Sequence, residues 1–112
     1  MITLGIDPGT LHTGYGFIKR SGSRLTKILS GTINTNSKQN MEYRLLSIHN
    51  RLEELLTICN PDQAAVEDVF FSKNANSALK LGQVRGVILV TLASRNIPIT
   101  SVAPALVKRS VV

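Results

Sequence analysis

Two carboxylates stand out by position rather than by type. In "LGIDPGTLHTGYG", Leu4 to Gly16, an apolar run ends in Asp7 and turns at once through Pro8-Gly9-Thr10. In "AAVEDVFF", residues 64–71, a second apolar run ends in Glu67. If the two runs are parallel neighbouring strands, both acids emerge at one edge, outside the carboxyl ends where open α/β sheets bind ligands. Carboxylates so close repel one another, and one must take a proton unless a cation sits between them. Oxygen donors in this arrangement suit Mg²⁺, with Mn²⁺ as a substitute; both ions hold substrate phosphates with one or two carboxylates each. That is the equipment of metal-assisted phosphodiester hydrolysis. Each acid also has a plainer reading, Asp7 as a turn-forming residue before Pro8-Gly9 and Glu67 as a solvated strand end. Their equivalent places on separate strands of a basic chain favour the metal site.

The elements that must position these acids follow from the apolar pattern. Residues 2–7 (ITLGID), 14–20 (GYGFIKR) and 24–34 (RLTKILSGTIN) read as three strands with a Ser21-Gly22-Ser23 turn, an antiparallel meander. The polar stretch 35–40 opens a helix with Asn36, Ser37 or Asn40 as its cap. Leu45, Ile48, Leu52, Leu55 and Leu56 have helical spacing within Met41 to Cys59, and Pro61 ends that helix. Residues 63–67 (QAAVE) read as a buried parallel strand, and 76–94 as a second helix capped by Asn76 or Ser77. Ile97 to Val102 gives a last strand, and Ala103 to Val112 begins another helix with Pro104 in its first turn. The order βββαβαβ is that of one mixed α/β domain over residues 1–112. In it the first, fourth and fifth strands lie parallel through right-handed crossovers.

The 112 residues suffice for one core, and 43% of them are apolar, which excludes a disordered chain. No apolar run reaches membrane-spanning length, and the N-terminus lacks the pattern of a signal peptide. Cys59 stands alone, so no internal disulfide forms, and a reducing cytoplasm is the expected location. It is expected to be an inert, buried thiol. Lysine and arginine number 13 against 7 acids, a net charge of +6 that points to a polyanionic partner, most often nucleic acid. Aromatics are 4%, too few for the stacking platforms of a general single-strand binder.

The stretches "GIDPGTLHTGYG", "VEDVFFSKNANSALKLGQVRG" and "APALVKRSVV" together resemble the RuvC family of Holliday junction resolvases, in order and over essentially the whole chain. The resemblance implies a ribonuclease H-like fold: a mixed five-stranded sheet flanked by helices, with an incomplete C-terminal helix. It implies a homodimeric endonuclease that makes paired, metal-dependent nicks in four-way DNA junctions during recombination and repair, in some settings with a branch-migration helicase complex. Asp7 and Glu67 fall on two of the family's catalytic, metal-holding positions. Phe70 matches the family's aromatic that meets the junction near the scissile site. Lys73, Lys108 and Arg109 are candidates for phosphate contact, with Lys108 on a family-matching stretch; Lys80 and Arg85 are weaker ones. The family completes its carboxylate cluster on a C-terminal helix, and after Glu67 the only acid here is Asp68. The chain is therefore expected to be a nuclease domain lacking its C-terminal part, holding metal weakly and cutting junctions poorly or not at all.

Other features carry their own expectations. Gly82 and Gly86, four apart, share a helix face, and each costs about 1 kcal/mol relative to Ala. With the apolar run Val87 to Val90 they suggest a helix packed on both the sheet and a partner subunit. His12 and His49 read as bystanders. Two alternatives remain: a non-catalytic junction-binding module, and a phosphate-binding lobe of the actin and sugar-kinase ATPase type, whose Asp-x-Gly-Thr turn faces a nucleotide.

Overall fold

The computed structural model of the chain describes residues 1–69 and 74–103. The elements run β1 (Ile2–Asp7), β2 (His12–Ser21), β3 (Arg24–Asn34), α1 (Met41–Ile58), β4 (Gln63–Glu67), α2 (Ala75–Ser94) and β5 (Ile99–Val102). They form one five-stranded sheet in the order β3-β2-β1-β4-β5. The meander β1-β2-β3 is antiparallel, whereas β4 and β5 run parallel to β1. The expected mixed sheet is therefore present, with β1 at its centre. The expected helix over 103–112 lies outside the described residues apart from Ala103.

One alternation explains the core. Leu4 and Ile6 on β1, Tyr15 and Phe17 on β2, and Ala64 and Val66 on β4 are all buried, two apart on their strands. Strand side chains alternate faces, so these residues share one side of the sheet. Ile48, Leu52, Leu55 and Leu56 of α1 and Val84, Ile88 and Leu92 of α2 join them in one cluster. The spacing of four, seven and eight residues is the apolar stripe of a helix laid on a sheet. Tyr15 and Phe17 meet edge to face, their rings 6.3 Å apart. Cys59 is half-buried and packs against this cluster rather than within it.

Several boundaries differ from expectation. β2 begins at His12, two residues early, because Thr13 already occupies an inward position and is buried. Its pairing with β3 shifts between Phe17 and Ile18. Gly22 turns the hairpin at φ 63°, the left-handed region that favours glycine. Asn40 caps α1 by backbone conformation alone, without a side-chain bond, and the Asn36 side chain instead accepts from the Lys38 amide. α2 is capped by Asn74, whose Oδ1 accepts from the amides of Asn76 and Ser77. Asn76 and Ser77, expected as caps, are thus the capped residues. β5 starts at Ile99 because Asn96 takes φ 57°, stopping α2, and Ile97 turns into the core with its amide on Leu92 O.

Candidate active site

Asp7 is the last residue of β1, and Glu67 is the last of β4. The parallel register pairs Ile6 with Val66, so the two acids follow side by side on adjacent strands. Neighbouring strands lie about 4.8 Å apart, which puts the two carboxylates at one edge and within reach of one ion. Asp7 is half-buried and Glu67 is 7% exposed. Opposite Asp7 stands Gly14, whose missing Cβ would lie 3.7 Å from the Cβ of Asp7, so that flank of the carboxylate is bare.

The turn after Asp7 is fixed from three sides. A Cβ on Gly9 would lie 2.0 Å from His12 O, so only glycine fits. Buried Thr13 donates to Gly9 O at 3.0 Å and accepts from the Gly9 amide at 3.2 Å. Thr10 O accepts from Thr35 Oγ1 and from Arg44 Nη2, each at 2.6 Å. Strand β2, the segment after β3 and helix α1 therefore all hold the loop that aims Asp7. The Pro8-Gly9-Thr10 turn is legible in the sequence, but the scaffold of Thr13, Thr35 and Arg44 that holds it is not singled out there. Its one legible trace is Thr13, a polar residue in step with Tyr15 and Phe17.

Glu67 has its own support. Arg85 reaches from α2 to donate through Nε to Glu67 O at 3.0 Å and through Nη2 to Ser101 Oγ at 2.6 Å. The same Nη2 lies 3.2 Å from Asp68 Oδ1. Arg85 thus ties the ends of β4 and β5 to α2. These contacts give Arg85, a candidate for phosphate contact in the sequence, a place within the protein. Asp68, the one further acid near the edge in sequence, is engaged by that guanidinium. Among the described residues no three His, Cys, Asp or Glu side chains converge on a metal position. The donors that the register sets side by side are two hard carboxylates, a set whose chemistry fits a divalent cation that keeps other positions for water and phosphate.

Of the other candidates, Phe70, Lys73, Lys108 and Arg109 lie outside the described residues, and Lys80 is exposed on α2. His12 bonds Asn34 across the hairpin at 2.8 Å, beside the turn. His49, mid-helix on α1, has its Nδ1 2.8 Å from Thr91 Oγ1, bridging α1 to α2.

Comparison with known proteins bears on the fold and the family. The family model for crossover junction endodeoxyribonuclease RuvC matches residues 3–112. The chain is 44% identical over 112 residues to the protein of that name from Sorangium cellulosum and 45% identical to that from Citrifermentans bemidjiense. It aligns over its whole length with both and spans 63% and 68% of theirs. The T. thermophilus RuvC solved in complex with Holliday junction substrate superposes with a TM-score of 0.88 at 29% identity, covering 98% of this chain and 70% of that one. The chain therefore belongs to the RuvC family, the crossover junction endodeoxyribonucleases.

Proposed function

We propose that the chain carries the Asp7–Glu67 part of a nuclease site that resolves four-way DNA junctions by divalent-metal-dependent hydrolysis of phosphodiesters. The observation that carries this reading is the β1–β4 register, which brings two carboxylates from distant parts of the chain to one sheet edge. Mg²⁺ is the expected ion and Mn²⁺ its substitute. When bound, such an ion activates water and neutralises charge at the scissile phosphate. Asp7 and Glu67 would hold it through their carboxylate oxygens. Arg85 fixes the backbone from which the Glu67 carboxylate projects, and the Gly9–Thr13 turn fixes Asp7. The basic surface draws in the polyanion.

Paired nicks in a two-fold junction call for two sites related by the same symmetry, hence a homodimer. An open groove of about 660 Å³ between α1 and α2 supports this, lined by Leu45, Leu46, His49, Gly86, Val87 and Val90 among others. Leu46 and Val90 on it are more than half exposed. A Cβ on Gly82 or Gly86 would meet nothing within 4 Å, which leaves backbone open to a close neighbour. No helix among the described residues is long and apolar enough to cross a membrane; the proposed place of work is the cytoplasm, with the DNA.

The test is a synthetic four-way junction beside a linear duplex of the same sequence, with Mg²⁺, Mn²⁺ or a chelator. The expected result is preferential binding of the junction and slow nicking confined to it, abolished by the chelator. Equal affinity for the duplex, or nicking that survives the chelator, would contradict the proposal.

A further inference from the structure

The positive charge of this chain has an address. Among the described residues Arg51, Arg85 and Arg95 pair with carboxylates, and Arg44 is buried with its guanidinium on Thr10 O. That leaves Lys19, Arg20, Arg24, Lys27, Lys38 and Lys80, and the first four stand on the β2–β3 hairpin. All four are exposed. The sequence holds no acid between Asp7 and Glu42. The nearest acid at that end of the sheet, Asp62, already accepts from the Ile2 amide at 2.7 Å. Register puts Lys27 opposite Ile18 and Arg24 opposite Ser21, with Lys19 and Arg20 between. The four cations thus occupy about 10 Å along the hairpin, Lys19 and Arg24 on one face with Ser21 and Thr26, and Arg20 and Lys27 on the other.

This cluster does not belong to the carboxylate edge. Gly14 faces Asp7, and the hairpin turns at Gly22. At about 3.3 Å per strand residue, Lys27 stands about 13 Å from the acids along the sheet, Lys19 about 17 Å and Arg24 about 23 Å. A phosphate beside the scissile bond is therefore out of reach of Lys19 and Arg24. Duplex that leaves the edge along the sheet would meet these two after about five to seven base pairs, at 3.4 Å each.

We infer that the basic β2–β3 hairpin is a second DNA contact, docking the phosphate backbone of one junction arm on its Lys19–Arg24 face about 17–23 Å from the cleavage edge. The inference rests on the junction-binding reading above. The chemistry favours phosphate over an acidic protein. Exposed Ser21, Ser23 and Thr26 stand among the cations, and hydroxyls and cations together are what backbone contacts use. Protein interfaces instead deplete lysine and gather aromatics, and residues 18–30 contain no aromatic. Leu25 and Ile28 are the exposed apolar side chains on the strand, and they alternate with charge.

The test compares the parent with the double variant Lys19→Gln/Arg24→Gln on two four-way junctions, one with arms of about fifteen base pairs and one with about four. Each neutralised phosphate contributes about 0.9 to the slope of log affinity against log salt. On long arms the variant should lose roughly two units of that slope, and a charge-preserving Lys19→Arg/Arg24→Lys variant should keep it. On short arms parent and variant should coincide. An unchanged slope on long arms overturns the inference, and so does an equal loss on short arms, which would put the hairpin at the junction centre. Loss of binding to an acidic polypeptide such as polyglutamate, with junction binding intact, would overturn it in favour of a protein partner. A parent that fails to prefer the junction at all would instead strike the functional proposal.

Discussion

Arg85 makes three contacts, with Glu67 O at the end of β4, with the Asp68 carboxylate just beyond it and with Ser101 Oγ on β5. Groups that orient a metal ligand typically contribute 10–100-fold to metal affinity or activity. Arg85→Ala should lower Mn²⁺ affinity by about tenfold or more on that basis, while metal-free junction binding stays near the parent value. Arg85→Lys should recover only part of the loss, because an ammonium lacks the fork that spans Glu67 O and Ser101 Oγ together. Equal Mn²⁺ affinity in all three proteins would remove Arg85 from the site's support. Gly9 is subject to a harder constraint, since a methyl group there collides with a backbone oxygen. Gly9→Ala should destabilise the fold by about 1–3 kcal/mol, read from chemical denaturation, as overpacking in a fixed region does. A variant as stable as the parent would show that the turn is free to shift.

At the scale of elements, the strands and helices were legible because their apolar residues keep period two or period three to four. β3, α1, β4 and α2 stand within a residue of where the pattern puts them. The caps were not legible in the same way. Asn74, Asn76 and Ser77 are equally good cap residues by type, and only the backbone path decides that Asn74 accepts while the others donate. The same holds for Asp7 and Glu67: their place at strand ends was readable, whereas the Arg85 clamp joins residues 18 and 16 positions apart through space. The two helices are also tied by charge. Arg95 at the end of α2 donates to Glu53 on α1 at 2.9 Å, and that bond holds the Glu53 carboxyl below its ordinary value of 4.5. A depressed carboxylate pKa stabilises the fold above the unfolded value and ceases to as pH falls through the folded one. The stability gap between parent and Arg95→Ala should therefore be largest above about pH 5 and close progressively in acid. A gap of constant size across that range would show that the pair acts through packing rather than charge.

The whole molecule combines one small core with a strongly uneven surface. A single apolar cluster joins sheet and helices, so a cavity within it should be felt throughout. Leu52 is 1% exposed, and Leu52→Ala should cost about 2–5 kcal/mol. For a domain stable by about 5–15 kcal/mol, that is enough to lower the melting temperature markedly. A small shift would mean the core collapses around the lost methyl groups. The same core keeps β1 and β4 in register, and that register is what the functional reading depends on. The most direct measurement of it is a Mn²⁺ titration of the isotopically labelled chain, followed by paramagnetic broadening of backbone NMR signals. The account predicts that signals around Asp7 and around Glu67 fade together and before all others, and that Asp7→Asn or Glu67→Gln each weakens the effect by about tenfold or more. Broadening centred elsewhere, or undiminished in both variants, would contradict it.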